Sequence, residues 1–442
     1  MAKNGISDFI ASARFGDFPE AVRAQLSRNL LDLFAATIAG LATPAANIVA
    51  DYAATAFPGN DATIAGRGKI GSAPGAALAN ACAANALDVD DGFRLAKGHP
   101  GAVVIPAALA AAQAQNASGA DFLAAVVVGY EVGMRAGTIW HAHPHRGPSY
   151  HGSGSWGSLG AAAACARLAG LGPREAGHAL AIAEYHAPLA PIMDCVRHPA
   201  MVKDGIHWGA FVGVIAAQLA AHGFTGMPAT LFADEYRGSM QTLGAEWWIE
   251  RVYFKFHPCC RWAQPAVAGA VELRKKHNLT PDDITAVRIE TFEAATQLGT
   301  RRPTNTEEAQ YSLPFPVACA FVHGRVGVPE IAGDGLNDEA VLVLSDRIEM
   351  CVDPAIEARF PDDALARVTV TTSGGRTHVT GPLPAPGDPD SGITFDDLVS
   401  KAHRLVDGVA GRSHTRRLVE TVLCCADLKT VEPLAECLVG FG

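Results

Sequence analysis

The chain has 442 residues, 49% of them hydrophobic and 18% charged, with a formal net charge of −10. That length exceeds one ordinary core and calls for two domains or one domain with an insertion, and the composition excludes a disordered linker protein. An acidic balance without a basic stripe argues against nucleic acid as a partner, and no run reaches the roughly 18 uninterrupted apolar residues of a membrane span.

The opening MAKNGISDFIASARFGDFPE has no apolar signal-peptide core, so the expectation is a cytoplasmic protein. Pro19 suits a first helical turn, and Val22, Leu26, Leu30, Phe34 and Ile38 follow near-helical spacing to a stop at Gly40. GAALANACAANAL predicts a second helix ending near Leu87, and others are expected over 103–115, 119–137, 155–170, 173–185 and 205–222, separated by Gly-rich or Pro-rich joints. Small side chains dominate and aromatics are only 7%, which favours closely packed helices.

The pattern changes after Pro265. The helix PAVAGAVELRKKHN leads into ITAVRIETF, where Val287, Ile289 and Thr291 alternate as on a half-buried strand. Helix-like segments follow near 314–323 and 338–350, and RVTVTTSGGRTHVTG reads as a hairpin around Ser373, Gly374 and Gly375. PLPAPGDPDSG, 382–392, is a linker by composition, after which FDDLVSKAHRLV and SHTRRLVETVLCCA restore the helical pattern. The architecture is therefore mainly α with α+β: a large all-helical domain (1–263) interrupted by a smaller α+β lid domain (264–392), with residues 393–442 returning to the first.

Four stretches could carry chemistry. In LDVDDGFRLAKGHPGAVV, Asp88, Asp90 and Asp91 stand at a helix C-terminus, where carboxylates face the negative end of the dipole and need compensation. With Arg94, Lys97 and His99 just after them, this is either a constrained site or a solvated acidic loop; the spacing is not that of an EF-hand. In HAHPHRGPSYHGSGSWGSLG, His141, His143 and His145 lack the strand geometry that would favour a metal, so structural or surface roles come first. His151, closest to a helix start that can offer N–H groups to an anion, is the better candidate. Lys203, before an almost wholly apolar helix, either sits in an anion pocket or is an ordinary helix-start residue. His257, Arg261 and Gln264 lie at the domain joint, in a ligand cleft or a packed hinge. The ten cysteines show no C-x-x-C spacing and read as reduced and structural; no Walker loop or Rossmann fingerprint is present.

Taken in order, ANALDVDD with HPG, YHGSGSWGSLGAAAA, VKDG, KFHPCCRWAQP and AQYSLPFPVACAFVHG resemble the MmgE/PrpD family, which includes 2-methylcitrate dehydratase, cis-aconitate decarboxylase and iminodisuccinate epimerase. The resemblance spans essentially the whole chain. It implies a helical domain with an α+β lid, a homodimer, no metal or organic cofactor, and a small carboxylate substrate. It also implies Asp88, His99, His151 and Lys203 as catalytic residues. Beside them, Arg94, Arg261 and Gln264 are the residues expected to bind the substrate, the two arginines as partners of Lys203 on its carboxylates. The chain departs from the family pattern at Gly92, where the decarboxylase has threonine, at Phe315, where a tyrosine follows the SLP-like segment, and at Gln264, where a histidine is frequent. The first functional reading is a lyase of the 2-methylcitrate dehydratase type. A dicarboxylate epimerase is the alternative, ahead of a cis-aconitate-type decarboxylase or a non-catalytic binding protein.

Overall fold

The structure, a computed structural model, describes residues 5–142 and 151–441. Its larger part is a helical bundle. Helix α1 (Glu20–Gly40) turns Val22, Leu26, Leu30, Phe34 and Ile38 inward, and all five are buried. It is followed by α2 (Ala73–Asn85), α3 (Pro100–Ala114), α4 (Gly119–Ala142), α5 (Ser153–Leu168), α6 (Pro173–His186) and α7 (Ile206–Ala221). The helices expected from spacing fall within a few residues of these.

Alanine and glycine let the helices meet almost backbone to backbone. A Cβ on Gly154 of α5 would lie 2.0 Å from the Gly205 carbonyl oxygen, and one on Gly209 of α7 would lie 2.4 Å from that of Gly154. At interior packing density no larger side chain fits there. Helix α4 is long and apolar enough to cross a bilayer, yet it is buried within the bundle. It carries a fully buried ion pair, Glu131 with Arg135, whose guanidinium also lies 4.3 Å from the Trp248 ring and donates to the Glu246 carbonyl at 3.0 Å.

One hairpin in this part, β1 (Pro58–Ile64) with β2 (Gly68–Gly71), has no counterpart in the sequence reading. Its first strand is exposed over four residues and buried over three, so it lacks the alternation that marks a strand.

The smaller part packs α8 (Gln264–His277) and α9 (Pro314–His323) with a mixed sheet of β3 (Ile284–Thr291), β4 (Ile348–Val352), β5 (Leu365–Thr372) and β6 (Thr377–Val379). The strand order is β4-β3-β5-β6. β3 runs parallel to β4, with Val287 opposite Ile348, and antiparallel to β5, with Ile289 opposite Val368. Val287, Ile289 and Thr291 form the buried face of β3, and Gly375, at φ +75°, turns β5 into β6.

Two expectations are corrected. The helix expected over 338–350 spans only Glu339–Asp346, because Ile348–Val352 is taken up as a parallel strand beside β3. Residues 382–392 are no free linker: Leu383–Pro384 pairs with β5, and the Phe254 N–H donates to the Gly387 carbonyl at 2.9 Å.

The chain ends with α10 (Phe395–Ala410) and α11 (Arg412–Leu423). Thr394 and Asp397 cap α10 reciprocally, and α10 lies against α1 with Leu398, Lys401, Ala402, Leu405 and Val406 buried.

Candidate active site

The aspartates after α2 are all buried: Asp88 is 2% exposed, Asp90 and Asp91 0%. Carboxylates cannot stay there beside the negative end of a helix without donors and cations. The fold brings both from distant segments. Lys203 Nζ donates to the Asn85 carbonyl at 2.5 Å, Gln310 Nε2 to that of Ala86 at 2.8 Å, and Lys401 Nζ to that of Val89 at 2.6 Å. Asp88 itself takes a left-handed φ of +52°, which turns its side chain toward Lys255. The Lys255 ammonium, fully buried, lies 2.7 Å from Asp88 Oδ1 and 3.9 Å from Asp90 Oδ1.

Asp91 clamps the start of α3, accepting from the Gly101 N–H at 3.0 Å and from the Tyr130 hydroxyl at 2.6 Å. Burial pushes its pKa up to about 7, against the pull of the Tyr130 hydrogen bond. This clamp fixes the residue that caps α3, His99. The His99 backbone N–H donates to Ser153 Oγ at 2.9 Å, and that hydroxyl donates to Asp204 Oδ2 at 2.9 Å.

The His99 ring stands among the charges. Nδ1 lies 2.9 Å from the Asp91 carbonyl oxygen and 3.2 Å from Asp90 Oδ2, while Nε2 lies 3.4 Å from Asp88 Oδ1. A carbonyl oxygen can only accept, so Nδ1 carries a proton and Nε2 holds the exchangeable one. Burial and the neighbouring Lys255 disfavour the imidazolium, but Asp90 and Asp88 outweigh them and raise its pKa. Burial also works against ionised Asp88, yet Lys255, Lys203 and His99 hold it below the usual carboxylate range. Asp90 is held below that range too, by His99 and Lys255 against the same burial. Asp88, Asp90 and His99 present atoms within 4.8 Å of one another, a spacing open to a metal ion, but the Lys255 ammonium already lies against the same oxygens.

Above this cluster is a cleft of about 900 Å³, solvent mouth included. Asp88, His99, Asp204, Tyr253 and Tyr311 line its polar floor, and Arg94, Lys97 and Arg261 bring positive charge to its walls. Its apolar side comes from both parts: Ile192 and Val196 from the helical part, and Phe360 from the smaller one, where Phe360 stacks on Phe292 at 4.2 Å with Trp262 edge-on to both.

The sequence-derived residues are not all assembled here. Asp88 and His99 meet. Arg94 and Arg261 line the cleft, Arg94 bonded to the Asp362 carbonyl and Arg261 paired with Asp388 and lying 4.6 Å from the Tyr253 ring. Lys203, at a left-handed φ of +41°, sits behind the lining, its ammonium also donating to Gln310 Oε1 at 2.9 Å. His151 is not in the lining either. Its N–H donates to His141 Nε2 at 3.1 Å, an acceptor kept neutral because burial takes His141 down to about 4. His143 and His145 lie outside the described residues.

Residues 4–249 match the MmgE/PrpD N-terminal domain, and residues 257–427 match the MmgE/PrpD C-terminal domain. The chain belongs to the MmgE/PrpD family. It is 25% identical to the cis-aconitate decarboxylase-like protein oryM of Aspergillus oryzae, over 98% of this chain and 96% of that one. It is 22% identical to cis-aconitate decarboxylase of Aspergillus terreus, over 99% of this chain and 96% of that one.

Within this MmgE/PrpD fold, the three departures from the family pattern read differently once placed. Gly92 is covered by a phenol: a Cβ there would lie 2.3 Å from the Tyr253 hydroxyl, so a tyrosine from another segment occupies the space a side chain would use. Phe315 is a fully buried core residue outside the cleft lining. Gln264, expected against the substrate, is fully buried outside the cleft lining, and its amide donates to the carbonyls of His257 at 2.7 Å and Cys259 at 2.9 Å, holding the turn before α8. Sequence reasoning missed Lys255, Tyr253, Tyr311 and Asp204. Lys255 had a signal: a lone cation between Phe254 and Phe256, in a run where both neighbours ask for burial.

Proposed function

We propose that this chain is a lyase that moves a proton beside a carboxylate of a small di- or tricarboxylic acid, most simply as a 2-methylcitrate-type dehydratase. The observation that carries this reading is His99, whose imidazolium form Asp90 and Asp88 favour, at the floor of a cleft with cationic walls. His99 is our choice of acid/base because it lines the cleft, whereas His151 does not. Asp88 orients and charges the imidazole, and Lys255 fixes Asp88. Arg261, Lys97 and Arg94 are the groups to hold substrate carboxylates and to stabilise enolate-like charge as the proton leaves. Neutral His99 takes that proton at Nε2, with its Nδ1–H on the Asp91 carbonyl, and the imidazolium so formed protonates the departing hydroxyl. No step in this sequence calls for a metal or organic cofactor.

A second reading draws on the relatives. Loss of carbon dioxide leaves a carbanion that the same imidazolium can protonate, and both relatives bear cis-aconitate decarboxylase in their names. Epimerisation, the earlier alternative, needs only removal and return of the proton. Proton NMR in heavy water on a panel of small di- and tricarboxylates separates these outcomes. Dehydration creates a vinyl signal, and decarboxylation also releases carbon dioxide. Epimerisation exchanges the proton beside the carboxylate and makes no vinyl signal. Binding with no exchange and no turnover across the panel overturns the enzymatic reading.

A further inference from the structure

The proton chemistry above makes no use of Lys401 and Asp32, a buried ion pair between α10 and α1 that lies outside the cleft lining. The other inward residues of α10, Leu398, Ala402, Leu405 and Val406, are apolar, and two apolar side chains at 401 and 32 would join the helices as well. Moreover, the pair is not arranged to satisfy itself. Among the described residues Asp32 Oδ2 has no hydrogen-bond partner in its fully buried position, while the Lys401 ammonium reaches past Asp32 to the Val89 carbonyl at 2.6 Å.

That carbonyl stands at a sensitive place. Val89 lies between Asp88, whose left-handed backbone aims its carboxylate at Lys255 and His99, and Asp90, whose carboxylate lies 3.2 Å from His99 Nδ1. A non-glycine residue stays in the left-handed region only where its surroundings hold it. Without a donor at Val89, a buried carbonyl must turn to find one, and both flanking aspartates turn with it.

We propose that Lys401 is a positioning residue for the reaction: through the Val89 carbonyl it holds Asp88 and Asp90 in register with His99, with Asp32 neutralising the ammonium. The proposal rests on reading Asp88 and His99 as the reacting pair. It assigns to the last part of the chain a role in a site it does not touch.

The test compares the wild type with Asp32→Asn, which keeps the Lys401 donor, and Asp32→Asn/Lys401→Met, which removes the donor without stranding a buried charge. Melting temperature, kcat and KM are measured on whichever carboxylate the panel identifies, and the His99 Cε1–H NMR signal is followed against pH without substrate. His99 faces Asp88 and Asp90 from the loop and Lys255 from the segment before α8, so its titration reports their placement. Asp32→Asn is expected to keep kcat within about threefold of wild type. The double variant is expected to lose about tenfold or more in kcat with KM changed less than about threefold, at a melting temperature close to that of Asp32→Asn. Its His99 is expected to titrate at lower pH, because Asp90 no longer stands against it. A double variant that keeps the kcat and His99 titration of Asp32→Asn overturns the proposal, as does one that unfolds, since a purely structural pair predicts unfolding. If the His99 signal moves as expected while His99→Ala leaves turnover intact, the positioning stands and the assignment of His99 as acid/base falls.

Discussion

His99 is balanced between opposing charges, and its proton is the most direct handle on the site. In the acid/base role proposed for it, the raised pKa lets proton delivery persist to higher pH than an ordinary histidine allows and fail as pH rises through that value. The alkaline limb of kcat/KM for the proton-delivering direction should therefore lie above the usual histidine range, and Asp90→Asn, which removes the larger of the two raising charges, should move it to lower pH. The same shift carries a stability consequence. A raised folded-state pKa contributes stability that is fully present below the unfolded pKa and is lost as pH rises through the folded one. At Gly92 the constraint is steric. Gly92→Ala drives a methyl group into the Tyr253 phenol and is expected to lower stability by about 1–3 kcal/mol, read by urea denaturation, while disturbing the cleft wall.

Among the elements, the end of α2 determines most. Lys255→Met leaves Asp88 and Asp90 buried without their ammonium, and a loss of about 3–5 kcal/mol is expected from the same denaturation measurement. The sequence made α1 and β3 legible because their burial repeats at helical and strand periods. It also made Asp88 and His99 legible, as a carboxylate out of place on a helix end and a histidine opening the next helix. It could not show how the carboxylates are compensated. Lys255 stands 167 positions from Asp88, and Lys401 stands 312 positions from Val89, so neither lies within a local pattern. The bonds of Gln264 were hidden for a related reason: an amide at a helix start looks the same in sequence whether it faces a ligand or holds its own turn. The 338–350 segment misled because a helix running directly into a parallel strand leaves no apolar gap between them.

At the scale of the molecule, the connection from α6 to α7 and the first turn of α7 leave large apolar side chains in the open, with Leu189 85% and Val202 66% exposed and Met201 and Trp208 also exposed. We keep the homodimer implied by the family resemblance as a proposal and place this patch in its interface. Sedimentation should then show a dimer that Leu189→Asp/Val202→Asp dissociates, and a wild-type monomer would refute the placement.

The carbonyls at the end of α2 and in the loop just after it are met by side chains from three later stretches, the last of them α10. During synthesis the aspartates are made long before their final counter-charge. Until α10 docks, the bundle carries a bent acidic loop with one of its fastenings missing. On the role proposed for Lys401, docking of α10 is thus a condition of competence: a polypeptide halted near residue 392 is expected to bury much of its apolar surface and to leave Asp88 and His99 out of register.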